Sequence, residues 1–151
     1  MAATLELDVT FAARRPWAPR RGQFRRWAEA ALGGMAARSV LSVRVVGNAR
    51  SRSLNARYRA KDRPTNVLSF AGAGRGPDGL NYLGELVICA PVVAHEAAAQ
   101  GKSRESHWAH MTVHGVLHLL GFDHEIPAEA RKMESRELQI LDNLGFSDPY
   151  A

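Results

Sequence analysis

With 151 residues, 46% of them hydrophobic, the chain can bury the core of one domain, and no composition shift or linker divides it, so residues 1–151 are read as a single unit. No apolar run approaches the ~20 residues that span a bilayer, and the segment Met1 to Asp8 carries acids where a secretion signal has basic and then apolar residues. A membrane protein is excluded on this reading and a cytoplasmic one expected, while a formal net charge of +5 built from 17 arginines against three lysines admits a polyanionic partner.

Leu5, Leu7 and Val9 alternate with Glu6 and Asp8, which predicts a half-buried strand over Thr4 to Thr10. After Pro16 and Pro19, the segment Gln23 to Ala37 places Phe24, Trp27, Ala28 and Ala31 on one stripe and predicts a helix ending near Gly33-Gly34 or just beyond. Six arginines, from Arg14 to Arg26, cluster at its start; Trp17 and Trp27 beside them read as packing residues, not base-stacking platforms. Val40 to Val46 is the second expected strand. Asn48 is placed as N-cap of a following helix that carries Leu54, Asn55, Tyr58 and four arginines, including Arg59.

Asp62-Arg63-Pro64-Thr65 breaks that helix before a third strand, Val67 to Phe70. Gly72 to Gly79 reads as a flexible loop without the pattern of a phosphate-binding P-loop. Leu83 to Ala90 is the fourth strand, and its Cys89, the one cysteine, belongs to the core. Pro91 suits the first turn of a short helix closed by Gly101, and Ser103 suits the cap of a long one whose apolar positions include Trp108, Met111, Val113 and Leu117. A last helix runs from about Pro127 to Asn143, with Met133, Ile140 and Leu141 inward. The sum is an α+β domain in which a small mixed four-stranded sheet is packed against about five helices.

The long helix carries the most informative run, His114-Gly115-Val116-Leu117-His118-Leu119-Leu120-Gly121-Phe122-Asp123-His124. His114 and His118 lie about 40° apart around a helix and roughly 6 Å apart along it, so both rings can face one ion. Gly121 tolerates the left-handed conformation that ends a helix and lets the chain return His124 to the same place. Three imidazoles leave a tetrahedral zinc with one open position, which distinguishes a catalytic from a closed structural site. His110, one turn before His114, is placed for a supporting hydrogen bond or as a satisfied core histidine. The spacing matches the metzincin protease motif, but Gly115 stands where that motif has its glutamate general base, which argues against peptide hydrolysis by the usual route.

Three segments together resemble the YbeY family of bacterial endoribonucleases, also described as ribosomal RNA maturation factors. They are His114-Gly115-x-x-His118-Leu119-x-Gly121-x-Asp123-His124, the stretch Leu54-Asn55-x-x-Tyr58-Arg59-x-Lys61-Asp62-x-Pro64-Thr65-Asn66-Val67-Leu68-Ser69-Phe70, and Leu83-Gly84-Glu85-Leu86-Val87-Ile88-Cys89, where the family more often has aspartate at Glu85. The arginine-rich N-terminal third is poorly matched.

The resemblance implies a zinc-dependent, single-strand-specific endoribonuclease, with one Zn2+ on His114, His118 and His124. It implies action in 16S ribosomal RNA 3′-end maturation and late-stage 70S ribosome quality control, with ribosomal subunits and assembly factors as partners. Arg59 and His114 would be the catalytic residues, Arg59 stabilising the charge of the phosphoryl transition state. From the residues alone Arg59 reads first as half of a surface salt bridge, with Asp62 as the candidate partner, and the resemblance reverses that order. Asp123 is expected to orient the turn before His124, and Glu125 to be within reach as a proton acceptor. The competing functions are a ribosome-assembly binding factor with a mainly structural zinc, and a metal-dependent hydrolase of another substrate class, such as a peptidase.

Overall fold

The computed structural model describes residues 5–150 and follows the order β1 (Glu6–Phe11), α1 (Arg21–Leu32), a 3-10 stretch (Gly33–Arg38), β2 (Ser39–Val46), α2 (Asn48–Arg59), β3 (Val67–Arg75), β4 (Asn81–Cys89), α3 (Ala90–Ala99), α4 (Arg104–Leu119) and α5 (Pro127–Asn143). The strands form one sheet in the order β1-β2-β4-β3, with β1 and β4 parallel to β2 and β3 antiparallel to β4. Parallel neighbours need a crossover, which α1 supplies between β1 and β2. The expected α+β architecture, with a mixed four-stranded sheet and five helices, is what forms.

Alternation along the strands gives the sheet two covered faces. Val9, Leu41, Val43, Val45, Leu86 and Ile88 join the core that holds Phe24, Trp27, Trp108 and Leu117. Val46, Leu68, Val87 and Cys89 form a smaller cluster with Leu54, Phe70 and Val92 on the opposite side. Cys89 is a core residue; burial pushes its thiol pKa up, which keeps it an unreactive donor to Asn48 Oδ1. Trp27 is buried edge-on to Phe24, and Trp17 leans on Trp108 with Arg104 stacked over its ring, so both are packing residues.

Helix α4 is the axis of the fold. It touches α1, α3, α5 and both strands of the β3–β4 hairpin, and Trp108, Ala109, Val113, Val116 and Leu117 on it have no exposed surface. Ser103 caps it as expected, its hydroxyl accepting from Ser106 N at 3.1 Å.

Two local expectations change, and the expected end of α1 near Gly33-Gly34 holds. Asn48 is not the cap of α2: Gly47 holds that place, and the Asn48 side chain faces the Cys89 thiol instead. Helix α1 stops at Leu32, because Gly33 adopts φ 58°, and continues as a 3-10 stretch. The segment expected as a loop from Gly72 is mostly strand: β3 runs on to Arg75 opposite β4, and the turn is confined to Gly76 through Leu80, closed by Gly76 N donating to Leu80 O at 2.8 Å. Glycine makes this possible. The register shifts between Ala71 and Gly74, where the backbones of Gly72 and Gly84 come too close for side chains.

The N-terminal arginine cluster is partly consumed by the fold. Arg21 donates to Val9 O at 3.1 Å, Arg25 to Leu5 O at 2.7 Å and Arg26 to Leu144 O at 3.1 Å.

A Cβ at Gly84 would lie 2.0 Å from Phe70 O and 2.8 Å from Gly72 N, at a φ of +132°. Gly84→Ala is therefore expected to lower the unfolding free energy by about 3 kcal/mol or more, read from the urea midpoint. Gly22→Ala in α1, with nothing within 4 Å of its Cβ, should leave stability unchanged or slightly raised.

Candidate metal centre

The end of α4 builds the site. Leu120 is the last half-helical residue; Gly121, at φ 100°, donates to His118 O at 3.0 Å and Phe122 N donates to Leu117 O at 3.0 Å. These two bonds are a Schellman turn, which satisfies the terminal carbonyls and reverses the chain. The reversal returns His124 to within 5.6 Å of the His114 ring and 4.9 Å of the His118 ring, centroid to centroid, while His114 and His118 stand 4.5 Å apart. Asp123 holds the returning strand as expected, Oδ1 accepting from His124 N at 2.7 Å and Glu125 N at 3.3 Å.

One nitrogen from each of these three rings lies within 4.8 Å of the other two. Hydrogen bonds fix which nitrogens of His114 and His118 face inward. His118 Nδ1 is 3.1 Å from Phe122 O, a carbonyl that only accepts, so that nitrogen carries the proton. His114 Nδ1 is 2.6 Å from Glu137 Oε1. Burial alone would raise the Glu137 pKa, but hydrogen bonds from His110 and His114 outweigh it and bring it down to about 2, so the acid is an ionised acceptor. With both Nδ1 atoms so engaged, both Nε2 atoms face the site, 3.0 Å apart, and a cation can be held there by their lone pairs where both rings are neutral. Burial, then the neighbouring His114 and His124, lowers the pKa of His118 and keeps it neutral, the form a metal requires. The donor set suits zinc, and imidazole also accepts nickel, copper or iron.

A second group, His110, His114 and Glu137, also gathers potential ligand atoms. Its contacts of 2.6 and 2.7 Å are those of hydrogen bonds, with no room for an ion between the partners. His110 thus makes a supporting bond, but to Glu137, not to His114. Sequence reasoning missed Glu137. The signal was there: it lies four residues after Met133 and four before Leu141, an acid on the buried stripe of α5. A second such pair lies one turn earlier: His107 Nε2 is 2.9 Å from Glu96 Oε1, and Glu96 also accepts from Asn66 Nδ2, which ties a cleft residue to α3.

The histidines open on a cleft of about 800 Å³ whose other wall includes Arg59, Lys61 and Arg63. Arg59 ends α2 and is exposed, donating to Tyr58 O at 3.2 Å and Ser69 O at 3.1 Å with its guanidinium over Phe70. It has no salt bridge with Asp62, because Arg52 takes that carboxylate through two bonds of 2.7 and 3.0 Å. Glu125 lines the same cleft. Gly115 does not: a Cβ there would meet Leu86 Cδ2 at 2.8 Å and Val67 Cγ2 at 3.3 Å. The position that holds a glutamate base in metzincins is here turned into the sheet.

A family model described as Endoribonuclease YbeY matches residues 18–145. A curated protein from Alkalilimnicola ehrlichii, named Endoribonuclease YbeY, is 52% identical over 156 aligned residues, covering 99% of this chain and 93% of its own. Among solved structures, the solution structure of TM1509 from Thermotoga maritima superposes with a TM-score of 0.58 at 20% identity, covering 92% of this chain and 91% of the other, a likeness of fold.

Two outcomes follow from the geometry around α4. Gly115→Glu should destabilise the protein by about 3 kcal/mol or more through overpacking, measured by thermal unfolding, and should confer no peptidase activity. The hydrogen bond from His107, against the opposing effect of burial, holds the Glu96 carboxyl below its ordinary range. A lowered folded-state pKa stabilises above the unfolded value near 4.3 and loses that contribution as pH falls toward the folded value. Glu96→Gln should thus cost about 1 to 2 kcal/mol at neutral pH, and melting curves of the two proteins should converge as pH drops from 6 to 3.

Proposed function

Because this chain belongs to the endoribonuclease YbeY family, and so to enzymes that hydrolyse phosphodiester bonds in RNA, we propose that it is a zinc-dependent, single-strand-specific endoribonuclease. Its proposed task is maturation of the small-subunit ribosomal RNA 3′ end and quality control of assembled ribosomes, in the cytoplasm, with ribosomal subunits and assembly factors as partners. Among the described residues no helix is long and apolar enough to cross a membrane. The observation that carries the reading is the convergence of His114, His118 and His124 in a cleft walled by Arg59, Lys61 and Arg63.

His114, His118 and His124 would hold the zinc, which when bound supplies Lewis acidity toward a phosphoryl oxygen and lowers the pKa of water. The remaining steps fall to the chain's own groups. Arg59 is pinned by two carbonyls and uses two of its five N–H donors on them. The others are available to two non-bridging oxygens of the scissile phosphate, where charge builds in the transition state. Lys61 and Arg63 on the same wall suit flanking phosphates. Glu125, which lines the same cleft, would take the proton from an attacking water; a ribose 2′-hydroxyl as nucleophile would make water positioning unnecessary. Gly115, buried against Leu86, offers no group to a peptide substrate.

The test is cleavage of a 3′-extended small-subunit rRNA fragment by zinc-loaded protein, with mapping of the new ends. Arg59→Ala should reduce the rate by roughly 100- to 1,000-fold with zinc still bound, and His114→Ala should abolish both zinc binding and cleavage. Cyclic phosphate with 5′-hydroxyl ends would assign the 2′-hydroxyl as nucleophile, and 5′-phosphate with 3′-hydroxyl ends would assign water. Equal cleavage by wild type and His114→Ala would overturn the metal-dependent reading; a folded Arg59→Ala that processes rRNA normally, with His118→Ala unfolded, would favour an assembly factor with structural zinc.

A further inference from the structure

We propose that Glu137 and Tyr150 are positioning residues for His114, so that the segment following α5 is a working part of the metal centre. The inference rests on His114 being a metal ligand.

Glu137 is fully buried, and its three donors are shared unequally between its oxygens. Oε2 accepts from His110 Nε2 at 2.7 Å and from the Tyr150 hydroxyl at 2.6 Å, while Oε1 accepts only from His114 Nδ1, at 2.6 Å. The terminal torsion of a glutamate is soft, with broad wells. Two donors fastened to one oxygen fix the carboxylate plane, and that plane presents the second oxygen to His114. The consequence for His114 is chemical as well as geometric. Its proton is held on Nδ1, and Nε2 faces the site with added electron density from the adjacent carboxylate.

Two features separate this from ordinary packing. His110, by donating through Nε2, leaves its buried Nδ1 without a partner, so the network keeps the bond to Glu137 at the expense of another polar atom. Tyr150 is 49% exposed, and what it contributes inside is its hydroxyl. The chain is steered to deliver it. A second Schellman turn ends α5, with Gly145 at φ 89°, Gly145 N donating to Asp142 O and Phe146 N to Leu141 O. Phe146 then anchors edge-on against Trp27, Asp148 Oδ1 accepts from Tyr150 N at 2.7 Å, and the tyrosine ring meets His110 edge-on at 5.4 Å.

The test measures zinc affinity by competition with a chromophoric chelator, and the ring tautomer of His114 in metal-free protein by 1H–15N spectra. Loss of a ligand's hydrogen-bonding partner should weaken zinc roughly 10- to 100-fold in Glu137→Gln and about a few-fold in Tyr150→Phe. The His114 Nδ1–H signal, present in wild type, should give way to a mixture of tautomers in Glu137→Gln. A purely structural role would lower the melting temperature and leave affinity and tautomer alone. Zinc affinities within about twofold of wild type in both variants, with Nδ1–H retained, would overturn the proposal. Tyr150→Phe changes an exposed side chain and decides the matter if Glu137→Gln does not fold. If wild type itself binds no zinc, the metal reading above falls, and the tautomer spectra alone show whether Glu137 and Tyr150 orient His114.

Discussion

An ionised carboxylate shut away from water is unfavourable unless donors replace the water it has lost, and Glu137 imposes that condition on the C-terminal half of the protein. Its donors come from two successive turns of α4 and from the segment after α5. Helix α5 must therefore lie against the histidine face of α4, and α4 in turn cannot rotate without withdrawing His110 or His114. The opposite faces of α4 are locked by Trp108 and Leu117 in the core and by Gly115 against the sheet. Such a helix holds His114 and His118 in one orientation before any ion arrives, which is the preorganisation a ligand pair needs.

The elements read most easily from sequence were those whose signals are local. The alternation of β1 and β2, the Ser103 cap and the apolar stripe of α5 each depend on neighbours within a few residues. The histidine site was legible for the same reason, since helical spacing and one turn-forming glycine place all three rings. The chain uses that turn twice: Leu117-x-x-Leu120-Gly121-Phe122 and Leu141-x-x-Leu144-Gly145-Phe146 both end a helix with a positive-φ glycine and send the chain back. The first returns His124, and the second returns Tyr150.

What sequence could not supply were partners chosen across the fold. Glu137 was legible as an acid on an apolar stripe, but nothing local says that it meets His110 and His114. The glycine-rich segment after Phe70 looks like a loop because its glycines signal turns, whereas here Gly72 and Gly84 allow two backbones to approach within a bulged hairpin. Arginine counts misled in a similar way. Arg21, Arg25 and Arg26 reach main-chain carbonyls, and Arg52 is held by Asp62, so the number of arginines overstates the guanidinium forks left unengaged for a polyanion.

The docking of α4 also explains why a shared ligand spacing need not mean a shared chemistry. Residue 115 is rotated about 100° from residue 114 around a helix, so the face on which α4 meets the sheet decides whether that residue borders the metal or the core. Here the sheet takes it: Leu86 and Val67 close over Gly115, and Ser69 Oγ donates to its carbonyl. The open side of the histidines is left to the β3 edge and the end of α2, which bring Arg59, Lys61 and Arg63. A general base aligned for a peptide is thereby exchanged for fixed positive charge around the ligand site. That exchange favours a substrate whose transition state gathers negative charge on phosphoryl oxygens over one that needs a proton taken by a glutamate.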